Sequence, residues 1–459
     1  MLETVEWTPP ATLTREEVVA ASQRLLDLPD IPYTEREDVF RIEELGMQWD
    51  IGVRVYEPVA PEDVAIGGDG KRIGGFLLHG GQDDWRQVEP LARLLTGKLG
   101  WKTVAGTFPG RLYLPDPSRD WPGDTINPDG SVRTPIWLQG EEITPDQYEL
   151  VTDAGNRARS GIRTLARALP GTTFYHRMAA WPAAMETGMV EANRRHFPVE
   201  EYSVYFQGHS TGGPIVSMLS QRVPNCAGVL AAENSPFGVV NEQKHAWGGT
   251  LGKIGDYARD TSQGLAGKSD PFNELYLRSW RDLARYRGPE ALGKEGPAAL
   301  MRLPSLMEEV LDEWSQQTSR PRFKCEYVIT HNIRSSLVEA ARVSAQRLGL
   351  DEAATQALID RYIGLTQPLT GPGVKPVPPF LFGISAFSRD HSAEVYTEVV
   401  MPLFRQMEPA PKIALTRFLA GVHMIWDPED GLPFGIMPAV AAQWHEAIVG
   451  GWFAVRDAV

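Results

Sequence analysis

The sequence predicts an α/β protein: a mostly parallel central sheet flanked by helices, with a large, mainly helical insertion. Three observations predict it. Short apolar runs at Ile73–Leu78, Tyr202–Gln207, Ala227–Ala232, Phe380–Ile384 and Ile413–Leu419 read as buried strands. Segments with helical patterning separate most of them, and strands alternating with helices form parallel sheets. Between residues 239 and 373 the alternation gives way to a mostly helical stretch rich in Trp, Arg and Glu, with one strand-like piece at Lys324–Thr330.

Taken in order, residues 14–28 read as a short helix. From Val39 to Tyr56 the period becomes two. Met47, Trp49, Ile51, Val53 and Val55 alternate with polar or small residues, as in a half-exposed antiparallel strand, and Gly46 sits in the turn before it. Ile73–Leu78 ends in His79-Gly80-Gly81, a strand running into a tight loop. A helix over Trp85–Leu99 and a strand over Trp101–Phe108 follow. Residues 109–142 are rich in Pro, Gly and Asp and lack any period, which marks a functional loop or lid. Thr144-Pro145-Asp146-Gln147 carries helix-start signals, so helices are expected over about 145–169 and 181–197. Later helices are expected at about 393–407 and 438–455.

Composition removes several classes of function. The chain has 459 residues, 42% of them hydrophobic and 23% charged, which excludes a disordered or collagen-like protein. A net charge of −14 repels polyanions, so nucleic acid is not an expected partner. No apolar run approaches the ~20 residues that cross a bilayer. The N-terminus carries acids where a secretory signal carries bases, so the expected location is the cytoplasm. Cys226 and Cys325 sit in apolar runs and read as buried free thiols, not as a metal site or a disulfide framework. The 36 prolines and 13 tryptophans ask for long ordered loops and broad apolar surfaces.

The chemistry centres on Gly208-His209-Ser210-Thr211-Gly212-Gly213, which follows the strand Tyr202–Gln207 and opens a helix. The glycines permit a sharp strand-to-helix turn that lifts Ser210 off the sheet edge. The helix N-terminus then aims free N–H groups at a developing oxyanion. A serine hydroxyl needs a base. His423 follows the strand Ile413–Leu419 and the Ala420-Gly421 break, where such a base belongs. His445 falls inside the terminal helix, His331 in or beside the insertion, and His391 before a helix. The backbone N–H groups of Gly81 and Thr211 can converge as an oxyanion hole. His79 reads as a residue that holds its loop, and His209 as packing beside the turn.

The order of an early HGG, a later GHSTGG and a late histidine resembles the α/β-hydrolase fold family. The likeness covers roughly residues 36–108, 181–238 and 376–457. It implies a Ser–His–acid triad with no metal and no organic cofactor. The family usually places the acid after the strand that follows the cap, but here that position holds Ala386, with Asp390 four residues on in a good helix-cap context. Other branches carry the acid at the end of the strand after the elbow helix, where this chain has Glu233. A glutamate ending an apolar strand is costly to bury without a partner, and a histidine N–H is a natural one. Glu233 is the preferred acid, and Asp390 stays open.

The expected organisation is a core over 1–238 with a loop insertion at 109–142, a helical cap or lid over 239–375, and the rest of the core over 376–459. Trp121, Trp137, Trp247, Trp280 and Trp314 lie in the two insertions, as do Arg111 and Arg119. The expected activity is hydrolysis of a small-molecule carboxylic ester through an acyl-enzyme. An amidase, peptidase or lactonase on the same triad is the alternative, and a non-catalytic binding protein on this scaffold a more distant one. No membrane partner is expected, and a homo-oligomer stays open.

Overall fold

The computed structural model describes residues 7–80, 84–108, 113–114, 145–153, 163–169, 171–173, 176, 179–210, 212–234, 333–365, 369, 371–388, 393, 396–405 and 409–454. Nine strands of the described residues form one sheet: β1 (Thr12–Leu13), β2 (Tyr33–Glu44), β3 (Met47–Pro58), β4 (Arg72–Leu78), β5 (Lys102–Gly106), β9 (Tyr202–Gly208), β10 (Cys226–Ala232), β11 (Phe380–Ser385) and β12 (Ile413–Phe418). A second sheet of three strands holds β6 (Tyr113–Leu114), β7 (Tyr148–Asp153) and β8 (Arg163–Ala168). The helices are α1 (Arg15–Leu26), α2 (Glu89–Leu99), α3 (Trp181–His196), α4 (Gly212–Arg222), α5 (Ile333–Leu348), α6 (Glu352–Gly364), α7 (Met401–Arg405) and α8 (Met437–Val449).

The large sheet has the order β1-β12-β11-β10-β9-β4-β5-β3-β2. Strand β3 runs antiparallel to β2 and β5, and the other described pairings in this sheet are parallel. Parallel strands need both faces covered. Alternation along the strands serves both. Phe76, Leu78, Phe206, Val229 and Phe382 face a core shared with α3 and α4, whereas Ile73, Leu77, Tyr205, Leu230 and Leu381 face one shared with α1, α2 and α8. The β2–β3 hairpin turns at Leu45 and Gly46, with φ of 53° and 71°, the left-handed pair that matches strand twist. Helix α1 opens with a capping box between Thr14 and Glu17.

One expected element is corrected. The helix expected over 145–169 is a short turn at Pro145–Gln147 followed by β7, which pairs antiparallel with β8. The helix-start signals are spent on that single turn. Tyr148, Val151 and Thr152 then favour strand, and Gly155 and Gly161 weaken a continuous helix. The sequence reading also missed β1, a strand of two residues that pairs with Arg417 and Phe418 of β12. The strand-like piece at Lys324–Thr330 and Cys325 lie outside the described residues, as do the five insertion tryptophans and Arg111 and Arg119.

Of the segment 239–375, helices α5 and α6 are described. Arg361 of α6 makes two hydrogen bonds to Glu44 of β2, at 2.7 and 3.1 Å, and reaches Glu186 of α3 at 3.6 Å. Arg222 of α4 donates to the Gly364 carbonyl at 3.0 Å. Helix α6 is thus fastened to the α3/α4 face of the sheet. Past it, Lys375 Nζ donates to the carbonyls of Ser220 and Val223, each at 3.0 Å, and to that of Cys226. That ammonium serves the carbonyls around the end of α4, which the helix leaves without intrahelical partners.

Candidate active site

The ends of β9, β10, β12 and β4 build the site. At the end of β9 the chain turns sharply into α4. A Cβ on Gly208 would stand 2.1 Å from the Gly212 carbonyl oxygen, so no other residue fits the close approach there. Ser210 sits at the apex with a φ of 48°, a left-handed conformation rare for serine. Its N–H donates to the Glu233 carbonyl at 2.9 Å, and its own carbonyl accepts from Gly213 at 3.0 Å as α4 begins. Gln207 steadies the two strands behind it. Its side chain donates to the Ala232 carbonyl at 2.8 Å and accepts from the Ala232 N–H at 3.1 Å.

At the end of β10, Glu233 also has a left-handed φ, of 51°, and is 0% exposed. Its N–H still donates to Gly383 of β11 at 3.0 Å, so the strained residue is pinned by the sheet. Its carboxylate takes three donors. Oε1 accepts from the Ser385 N–H at 2.6 Å, and Oε2 from the Ser388 hydroxyl at 2.7 Å. The third is His423 Nδ1, 3.1 Å from Oε2. An ionised carboxylate only accepts, so this contact assigns the proton to Nδ1 and makes Nε2 the ring's acceptor. Three donors offset the cost of burying the charge.

His423 lies in the loop after β12 and is 8% exposed. Ser385 supports that loop by donating from its hydroxyl to the carbonyls of Ala420, at 2.9 Å, and Gly421. Glu429 accepts from the Gly421 N–H at 2.8 Å. Next to Glu233, the single proton of the Tyr396 hydroxyl is shared between two oxygens of Asn234, Oδ1 at 2.9 Å and the carbonyl. Burial and the Glu233 charge push the Tyr396 phenol well above its ordinary value, so it stays protonated and donating.

The end of β4 closes the remaining side. A Cβ on Gly80 would stand 2.7 Å from Ser210 Cβ, so the backbone of this loop presses directly on the serine. His79 is fully buried and braces the loop. Its Nδ1–H donates to the Gly80 carbonyl at 2.9 Å and its Nε2 accepts from the Phe108 N–H at 3.1 Å. The Gly80 N–H donates to Gln87 at 2.5 Å. This matches the loop-holding role expected of His79. Gly81 and Thr211, the expected oxyanion donors, lie outside the described residues, as do Asp390, His331 and His391.

The structure therefore brings Ser210, Glu233 and His423 to one end of the sheet. It places His445 elsewhere, in α8, where burial lowers its basicity and Nδ1 accepts from Trp101 at 3.1 Å. Ser385 and Ser388 were missed by sequence reasoning. They flank Ala386, the place where a carboxylate was sought, but isolated serines carry no signal of their own. Among the described residues, no group of three or more His, Cys, Asp or Glu is placed to hold a metal ion, and no helix is long and apolar enough to cross a membrane.

The strand order, the single antiparallel strand β3 and the serine turn between β9 and α4 give this chain the α/β-hydrolase fold. No family model matches the chain, and no curated protein matches its sequence. Among solved structures it is similar to a lipase in its open form, at 10% identity and a TM-score of 0.37, over 92% of this chain and all of that one. It is similar to a thermostable esterase from Pseudomonas putida at 14% identity and a TM-score of 0.31, over 94% of this chain and 86% of that one. A peroxisomal alpha-beta-hydrolase from Saccharomyces cerevisiae aligns at 10% identity and a TM-score of 0.31, over 91% of this chain and 88% of that one.

Proposed function

We propose that this chain is a serine hydrolase that cleaves a small-molecule carboxylic ester through an acyl-enzyme. The observation that carries this reading is the buried Glu233–His423 pair, 3.1 Å apart, beside a serine held in a left-handed turn. A fully buried carboxylate with three donors aimed at it is costly to build for packing alone. It is what an imidazole needs in order to keep one tautomer and to carry a transient positive charge.

In this reading Ser210 Oγ attacks the ester carbonyl carbon and passes its proton to His423 Nε2. The imidazolium is stabilised by Glu233. The oxyanion is held by backbone N–H groups at Gly81 and Thr211. Collapse breaks the bond to the alkoxide, which leaves as the alcohol with the proton from Nε2. Water then attacks the acyl-enzyme, gives its proton to Nε2, and the second collapse returns that proton to Ser210 and releases the acid. Turnover of p-nitrophenyl acetate and labelling of Ser210 by a fluorophosphonate test this together. Ser210→Ala is expected to lose both, with turnover down by roughly 10³-fold or more. Equal turnover in the two proteins would sink the proposal.

A further inference from the structure

The nucleophile and the base stand on segments far apart in the chain, and besides Glu233 a second side chain joins them. His209, the residue before Ser210, is buried at the elbow, with its N–H donating to the Leu78 carbonyl at 2.9 Å. Its ring crosses to the loop after β12. Nε2 lies 3.0 Å from the carbonyl oxygen of His423, 214 residues away. A carbonyl only accepts, so Nε2 carries a proton in this contact. The same ring lies 4.6 Å from the His423 ring, inclined at 35°, and 4.8 Å from the Trp426 ring, inclined at 46°. The elbow thus grips the base's loop at its backbone and on two rings.

We propose that His209 is a positioning residue that sets the distance between nucleophile and base. This rests on the reading of Ser210 and His423 given above. Glu233 fixes the far nitrogen of His423 and so its ring plane, and its carbonyl accepts from the Ser210 N–H at 2.9 Å, but its hold on the base is on the ring alone. The bond from His209 reaches the main chain of His423. It holds the base's backbone to the residue adjoining the nucleophile, so the two move as one body. A displacement of about 1 Å in such a pair costs on the order of 10²-fold in rate. Ground-state binding of substrate does not depend on that distance, so the loss belongs in kcat and not in KM.

His209→Phe keeps a flat ring for His423 and Trp426 and removes the donor. His209→Gln keeps an N–H at similar reach. With p-nitrophenyl acetate, His209→Phe is expected to lower kcat by roughly 10- to 100-fold with KM within about two-fold. His209→Gln is expected to recover to within about five-fold of wild type. Wild-type kcat in His209→Phe, or an equal loss in both variants, would overturn the proposal. If His209→Phe does not fold, 15N spectra of the imidazoles in the unmodified protein decide. A proton on Nε2 of His209 at pH 8 supports the bond, and a proton on Nδ1 alone overturns it. Ser210→Ala separates the two levels. If that variant turns over normally, the reading of the site has failed. If it is inactive while His209→Phe is not slowed, only the role of His209 has.

Discussion

The two ends of the parallel sheet bury polar side chains for opposite purposes. At the end where the strands begin, they serve the main chain. Lys375 reaches three carbonyls around the end of α4. Asn225 donates to the carbonyls of Phe197 and Tyr202, at 3.0 and 3.2 Å, and accepts from Asn193 at 3.0 Å. The Lys375 and Asn225 donors serve backbone carbonyls, and the Asn193 bond holds the Asn225 side chain in place. At the end where the strands finish, a carboxylate is buried to receive an imidazole and a hydroxyl. Two non-glycine residues with left-handed φ, Ser210 and Glu233, sit there. The other among the described residues, Leu45, sits in a hairpin turn that requires it. Strain and buried charge with no structural demand behind them mark the end that holds the candidate site.

That contrast breaks most visibly at Glu233. Glu233→Gln keeps the shape and removes the charge. It is expected to reduce p-nitrophenyl acetate turnover by roughly 10²- to 10⁴-fold. Asp390→Asn is expected to stay within about two-fold of wild type. A crippling effect of the Asp390 change alone would move the acid.

The opposite end answers in the opposite currency. Lys375→Met removes the ammonium that serves three carbonyls around the end of α4, of which that of Val223 keeps the Cys226 N–H. The expected cost is about 2–4 kcal/mol in urea unfolding, on the scale of one to three lost buried bonds, with kcat unchanged. A variant of wild-type stability and lowered kcat would erase the distinction between the two ends.

The smallest effect is a pH slope. His196 closes α3 with a ring 2.9 Å from Asp38, yet burial outweighs that carboxylate and lowers its pKa to about 4. The folded ring then stays neutral, while the unfolded chain takes up a proton below its ordinary value of 6.5. The unfolded state binds more protons in that window, so stability falls as pH drops from 6.5 towards about 4, by up to ~1.4 kcal/mol per pH unit. His196→Phe is expected to flatten this slope in denaturation curves taken across the window. Identical slopes would show that His196 stays protonated in the fold.

Much of the core was legible because its signals are local. A continuous apolar run bounded by glycines can only be a buried strand or a piece of buried helix, and length chose between them at β4, β9, β10 and β11. The turn at Ser210 was legible because only Gly208 admits the approach of the Gly212 carbonyl. The stretch after Pro145 was misread for the same reason in reverse. A helix-start pattern is local, whereas the pairing of β7 with β8 joins residues 10 to 20 apart in the chain, from Asp153 with Arg163 to Tyr148 with Ala168. Ser388 was invisible. Its hydroxyl reaches a carboxylate 155 residues away in the chain, and a serine looks the same with or without such a partner.

What the sequence determined by itself was most elements of the large sheet and the residue types that could react: an elbow serine, a late histidine, and a glutamate at the end of an apolar strand. Only the tertiary structure decided who meets whom. Strand β11 lies beside β10, so its final turn delivers Ser385 and Ser388 to Glu233. The loop after β12 then swings His423 onto the same carboxylate and onto the ring of His209. The physical reason is range. Propensity and periodicity act over a few residues along the chain, but a hydrogen bond acts over about 3 Å in space. The partners within that reach are set by strand order, which no single segment encodes.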